Sequence, residues 1–220
     1  MITTVDVETS WQVTSTGGYD PSPFHPDNIL VSVGINDEYY FTNHSERIDK
    51  GCYHNIQSVL DKTTLLIGHN IKFDLMWLLE SGFKYSGRVY DTMLGEYILN
   101  RGIRKSLTLE MSCRRRRIGS KDSRIKEFTD RGIPFQNIPV GLVEEYGRMD
   151  VQITRDLFNS QMADFKMPKN KHLLKTAKMM NEFLVVLSDM ERNGINVSLD
   201  ELGKVEREYR AEFAYLKQKI

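Results

Sequence analysis

Cysteine is scarce. Cys52 and Cys113 are the two in 220 residues, too few for a disulfide framework and without the spacing of a metal finger. Long apolar runs are missing: nothing approaches the roughly 18 consecutive apolar residues of a membrane span. The chain opens on a strand-like run that already carries acids, which does not read as a secretory leader. Net charge is lacking as well, because 30 Lys and Arg balance 30 Asp and Glu, so overall charge names no partner. Internal repeats and low-complexity tracts are absent. These absences set the expectation of a protein of a reducing cytoplasm with no membrane partner. Its length suits one domain, or one domain and the start of another.

What is present is acid in a particular place. Residues 2–7 read as a strand running into Asp6-Val7-Glu8. Side chains alternate along a strand, so Asp6 and Glu8 project from the same face at its C-terminal end. At about 4 Å and an effective dielectric of about 20 their repulsion is on the order of 4 kcal/mol. A divalent cation turns that cost into a binding site, since hard oxygen ligands suit Mg²⁺ or Mn²⁺. The spacing by itself is common: Asp189-Met190-Glu191 repeats it within a helical pattern. The pair therefore needs partners elsewhere in the chain.

Residues 10–28, rich in Ser, Thr, Gly and Pro, read as a long loop. Residues 29–35 and 38–42 read as two strands joined by Asn36-Asp37, completing an antiparallel meander with the first. A helix over 52–61 and a buried strand over 63–67 follow. Next comes the turn Gly68-His69-Asn70 and a helix over 71–80, with Phe73, Trp77 and Leu78 facing inward. This is the order of an α/β unit. A short strand over 88–91 enters a helix over 92–100.

Charge is unevenly spread after that. Residues 101–131 hold eleven basic and four acidic residues, a segment able to lie along a phosphate backbone. It reads as helices broken near Gly119. Pro139 starts another helix, weakened by Gly141 and Gly147 with a break expected between Glu145 and Arg148. From His172 an amphipathic helix carries Leu173, Leu174, Met179, Phe183, Val186, Leu187 and Met190 to Asn193-Gly194. Ser198 caps a last helix running to Ile220, which looks cut off rather than finished.

Two further groups change the standing of the opening acids. Asn70 and Asp74 lie four apart on one face of the helix that follows the buried strand, and Tyr146 and Asp150 lie four apart on the later helix. The Tyr-x-x-x-Asp spacing occurs once in the chain. In this order and context the sequence resembles the proofreading 3′-5′ exonuclease domain of family A DNA polymerases, the DNA polymerase I family, especially those of bacteriophages. Asp91-Thr92-Met93-Leu94 matches a secondary motif of that domain.

The resemblance covers about residues 1–165 by motif order. It implies an α/β, ribonuclease H-like fold, a mixed sheet flanked by helices, followed by a C-terminal helical extension over 166–220. Residues 187–195 look like the segment that opens the polymerase portion of such enzymes. That implies an N-terminal piece of a polymerase, whose synthesis domain would be its partner in cis. A processivity factor is compatible, but no residue identifies one.

The resemblance implies two Mg²⁺ ions, with Mn²⁺ able to substitute. Asp6, Glu8 and Asp150 would hold the ion that activates the attacking water. Asp6 would bridge to a second ion, which Asp74 reaches directly or through water. Tyr146 would orient that water with Glu8; a related branch has His five residues before the last Asp, where this chain has Glu145. Asn70 is assigned to the substrate or to fixing its loop, with capping of the following helix an equal alternative. Arg114, Arg115, Arg116 and Arg117 either contact the DNA or form a solvated helix face. The expected substrate is the single-stranded 3′ end of DNA. The rivals are a ribonuclease D-like enzyme acting on RNA and a catalytically silent DNA-binding domain. His69 is expected to be structural, Asp91 to stabilise its own helix start, and Lys72 to face solvent.

Overall fold

In a computed structural model, residues 1–119 and 124–219 are described. Lys121 and Asp122 of the basic segment, and Ile220, the expected end of the last helix, lie outside them. The chain divides into two compact units, Met1–Ser188 and Asp189–Ile220.

The first unit is built on a five-stranded mixed sheet. Its strands are β1 (Ile2–Thr9), β4 (Leu30–Ile35), β5 (Glu38–Phe41), β6 (Leu65–Gly68) and β7 (Arg88–Asp91), in the order β5-β4-β1-β6-β7. The meander expected from residues 2–42 is present, with β1 antiparallel to β4 and β4 antiparallel to β5. β6 lies parallel to β1, and β7 parallel to β6. The loop expected over 10–28 instead contains a small two-stranded sheet, β2 (Gln12–Val13) with β3 (Tyr19–Asp20). The turn between them is closed by Thr14, which accepts the Gly18 N–H through its hydroxyl at 2.9 Å.

One side of the sheet buries Val5, Val7, Val33 and Ile35 against α1 (Cys52–Asp61) and α2 (Ile71–Glu80), with Ile56, Leu60, Ile71 and Leu78 almost fully buried. Of the three residues expected to face inward on α2, Trp77 and Leu78 are buried and Phe73 is partly buried. The other side carries α3 (Thr92–Leu99), α4 (Leu109–Arg116), α5 (Arg124–Thr129) and the long α6 (Val140–Lys166).

Helix α6 is continuous over 27 residues, so the break expected at Gly147 does not occur. The reason is tertiary. A Cβ at Gly147 would run into the Tyr39 ring, and one at Gly34 would stand 2.7 Å from Val151 Cγ2. These two glycines let α6 lie against β4 and β5, and that packing outweighs the roughly 1 kcal/mol helix penalty of a glycine.

Helix α7 (Leu173–Asn193) also departs from expectation. It buries Ala177, Asn181, Leu184 and Ser188, while Leu174, Met179, Phe183, Val186 and Met190 stay exposed. Asn181 explains the choice of face: its Oδ1 accepts the Asp91 N–H at 2.6 Å, a buried backbone donor at the open edge of β7. The second unit, described by itself, contains α8 (Leu199–Lys217), whose N-terminus is capped by Ser198 accepting the Glu201 N–H. Among the described residues no helix is long and apolar enough to cross a membrane.

Candidate active site

β1 is the middle strand of the sheet, and its two ends have different neighbours. Ile2, Thr3 and Thr4 pair with β6, whereas β6 gives way after Gly68 to the turn into α2. The C-terminal half of β1 is left with a donor facing that gap. Asp74, in the first turn of α2, fills it: its Oδ1 accepts the Val7 N–H at 3.0 Å. Asp74 is thereby carried to the strand end that holds the opening acids.

On the other face, Asp6 stands opposite Gly34 and Glu8 opposite Ser32 across the β1–β4 ladder. These small residues leave room for α6. That helix delivers Asp150, whose carboxylate lies with those of Asp6 and Glu8 so that one ligand atom of each is within 4.8 Å of the others. Asp150 and Glu8 are buried and Asp6 is partly exposed. One turn earlier on α6, the Tyr146 hydroxyl donates to the Asp150 carboxylate. Beneath the acids, Ser32 and Tyr39 hydroxyls meet at 2.8 Å.

The electrostatics follow from this crowding. Burial first, and then the charge of Asp6, hold the Asp74 carboxyl well above its ordinary range, against the pull of the Val7 N–H. Burial, followed by the charges of Glu8, Asp150 and Asp6, raises the Tyr146 hydroxyl far above the ordinary tyrosine value, so it stays protonated as a hydrogen-bond donor. Tyr39 is raised in the same direction by its burial and by Glu8. The donor set fits a hard divalent cation: carboxylate oxygens only, convergent, with no thiolate or imidazole among them.

The sign of these shifts gives a test. A carboxyl whose folded pKa is raised binds its proton more tightly in the folded state, so its stabilising contribution is full below the unfolded value and is lost as pH rises through the folded one. Asp74 and Asp91, the latter pushed up to about 6 chiefly by burial, act in this direction. Metal-free protein should lose that contribution as pH rises, and millimolar Mg²⁺ or Mn²⁺ should raise the melting temperature more at about pH 8 than at about pH 5.5, where a cation competes with protons. Thermal scans at both values, with and without metal, measure this, and an absent shift at millimolar metal speaks against the site.

The remaining expectations are placed as follows. Asn70 sits at the N-cap of α2 in the left-handed region, φ 61°, without a side-chain cap, so the capping alternative is not the one built. Its side chain belongs to an exposed residue. His69 is structural, with ring nitrogens 2.9 Å from Thr92 Oγ1 and 2.8 Å from the Leu107 carbonyl. Lys72 is partly exposed. Asp91 does more than expected: its Oδ1 accepts both the Met93 N–H that starts α3 and the Asn70 N–H at the head of α2, so one carboxylate ties two helix starts together. The Gly68–Asp91 pairing in the parallel β6–β7 ladder makes that possible, and nothing in local sequence spacing announces it.

The arginine run divides. Arg115 pairs with Glu96 and donates to the Ser106 carbonyl, and Arg116 pairs with Glu96 at 2.8 Å and with Asp164 at 2.7 Å. Both turn inward because Glu96, 3% exposed, needs compensating charge. Both guanidinium groups are thereby engaged in ion pairs within the fold. Arg114 and Arg117 remain exposed at the end of α4.

Comparison with known proteins gives concordant findings. The family model described as 3′-5′ exonuclease, of the DNA polymerase A type, matches residues 18–162. DNA polymerase I of Borreliella burgdorferi is 27% identical over 138 residues, 63% of this chain and 15% of its own length. DNA polymerase I of Chloroflexus aurantiacus is 27% identical over 155 residues, 69% of this chain and 16% of its own. The chain thus spans under a fifth of the length of these relatives. Among solved structures, Brucella melitensis NrnC bound to pGG superposes with a TM-score of 0.63 at 20% identity, covering 88% of this chain and 85% of that one. The same protein with bound Mg²⁺ gives 0.63 at 18%, with 88% and 86% covered. The fold is the ribonuclease H-like exonuclease fold.

Proposed function

Because the chain belongs to the 3′-5′ exonuclease family of A-type DNA polymerases, we propose that residues 1–165 hydrolyse the 3′-terminal phosphodiester of single-stranded or frayed DNA, releasing nucleoside monophosphates. The observation that carries this reading is the meeting of Asp6, Glu8 and Asp150 within 4.8 Å beside a protonated Tyr146. A pair of divalent cations, Mg²⁺ with Mn²⁺ as substitute, supplies when bound the Lewis acidity that activates water and stabilises the leaving oxygen. Asp6, Glu8 and Asp150 would hold one cation, and Asp6 and Asp74 the other.

The chain's own groups do the rest. Glu8, buried at the strand end, accepts from the attacking water and sets its direction toward phosphorus. Burial and the surrounding carboxylates keep the Tyr146 hydroxyl protonated in the metal-free protein; as a donor it would fix the Asp150 carboxylate and the approach of the water. Asp74 is anchored by the Val7 amide, an orientation from which its carboxylate would help Asp6 hold the second cation. Asn70 lies exposed at the mouth of the turn, where it can meet the substrate. Arg114 and Arg117 supply charge for phosphates without reading sequence.

In biological context this is the proofreading part of a DNA polymerase, with the synthesis domain following in cis. The identity to two DNA polymerase I chains supports that placement. Matched DNA and RNA oligonucleotides, incubated with the chain and Mg²⁺, test the reading. Stepwise shortening of DNA from the 3′ end is the expected result. Preference for RNA would move the chain to the ribonuclease D-like rival, and absence of cleavage on both would favour a silent binding domain.

A further inference from the structure

A row of aromatic rings leads away from the acid cluster. Tyr146 lies 6.1 Å from Phe135, Phe135 lies 6.0 Å from Trp11, and Trp11 lies 5.5 Å from Tyr19, centroid to centroid. The contacts of Trp11 with both neighbours are edge-on, at interplanar angles of 89° and 75°. In an edge-on contact one ring keeps its faces clear of the other, so the row is not closed by its own stacking. Tyr19 is 55% exposed, and Trp11, Phe135 and Tyr146 are each partly exposed.

The rings come from segments that are fixed at their bases. Trp11 immediately precedes β2 and Tyr19 opens β3 of the hairpin that follows β1 directly. The foot of the hairpin is tied by Ser10, whose N–H donates to the Ile29 carbonyl at 3.0 Å and whose hydroxyl accepts the Ile29 N–H at 2.7 Å. Asn28 Nδ2 donates to the Asp20 and Ser22 carbonyls, each at 2.9 Å. Phe135 sits in a short 3₁₀ turn, Phe135–Asn137, held by the Ser45 hydroxyl donating to the Gln136 carbonyl at 2.6 Å. The rings are therefore positioned before any ligand arrives, which lowers the ordering cost of binding.

Resting on the exonuclease reading above, we propose that Trp11, Tyr19 and Phe135 form a stacking platform for the bases of a single strand whose 3′ end lies at the Asp6, Glu8 and Asp150 cluster. The ligand class is unpaired nucleobases in a short run beyond the terminal one. Stacking on aromatic faces is tolerant of base identity, as removal of any mismatched nucleotide requires. It also makes the site select strands with splayed bases over duplex. The hairpin thus turns the stretch that begins with Asp6 into both chemistry and grip.

The test is direct binding in the Asp6→Ala background with Mg²⁺ present, followed by fluorescence anisotropy of a labelled oligonucleotide of about eight nucleotides, intact or abasic except at its 3′ end. Adding Trp11→Ala or Tyr19→Ala should weaken binding of the intact strand about tenfold each, and leave the weaker binding of the abasic strand within about twofold. Trp11→Phe should restore most of the affinity, and Tyr97→Ala, an exposed ring on α3, should change nothing. Equal loss on both strands, or no loss on the intact one, overturns the platform. Should Trp11→Ala fold poorly by circular dichroism, Trp11→Phe against Trp11→Leu decides, since Leu keeps bulk without a π face. The two readings fail separately: intact-strand selectivity without cleavage by the parent chain sinks the exonuclease, whereas cleavage without that selectivity sinks only the platform.

Discussion

Asp6→Ala is expected to abolish Mg²⁺-dependent degradation of single-stranded DNA, a loss of at least about 10⁴-fold, because water must otherwise attack without a cation to lower its pKa. The substitution removes one of three carboxylates that converge within 4.8 Å, and by the proposed assignment the one shared between both cations. It also has an effect that simple misfolding would not produce. The Asp6 charge is the second cause, after burial, of the upward displacement of Asp74. Taking it away relieves repulsion in the metal-free protein, so the melting temperature without metal should hold or rise, while the rise induced by Mg²⁺ should shrink. Activity assays and thermal scans on the same preparation measure both. A variant that loses activity together with its metal-free stability would show that Asp6 serves the fold instead.

Much of this arrangement was legible because local periodicity dictated it. Asp6 and Glu8 share a face by the alternation of a strand, and the meander that follows places Gly34 and Ser32 across from them. Tyr146 and Asp150 lie a spacing of four apart on one helix, whereas Asn70 stands outside α2 at its left-handed N-cap and is exposed while Asp74 is buried, so that pair does not share a helix face. What sequence order supplied beyond spacing was the association of these pairs with one strand end, through resemblance to a family whose model matches residues 18–162.

The illegible parts are those decided between elements. Gly147 weakens an isolated helix, yet here it admits the Tyr39 ring and lets α6 run unbroken past the acids. Arg115 and Arg116 belong to a run that looks like one solvated or phosphate-binding face. Glu96, in a different helix, claims both, and Asp164 claims Arg116 a second time. On α7 the apolar residues suggested one stripe, but Asn181 meets the Asp91 amide and turns another face inward. In each case a buried polar or sterically tight contact far away in sequence set the outcome, and hydrophobic pattern did not report it.

Tyr146→Phe is expected to cost about 10²- to 10⁴-fold in kcat and to leave measurable activity, the range for a group that positions a proton or a water in the transition state. The substitution keeps the ring, and with it the contact to Phe135 at 6.1 Å, so the loss reports the hydroxyl alone. That hydroxyl has a definite task here: it donates to Asp150 and is surrounded by Glu8, Asp150 and Asp6, which together with burial keep it protonated well beyond neutral pH. A tyrosine acting as base would impose its own titration on the rate, whereas this one should leave the shape of the pH profile the same in parent and variant up to about pH 9 and shift only its height. KM for the oligonucleotide should move far less than kcat, because the lost interaction is made with the reacting centre and not with the strand. Steady-state kinetics across pH distinguish these outcomes. A loss as complete as that of Asp6→Ala would mean that the hydroxyl is needed to hold the carboxylates themselves, and a profile that changes shape would return Tyr146 to the proton-transfer step.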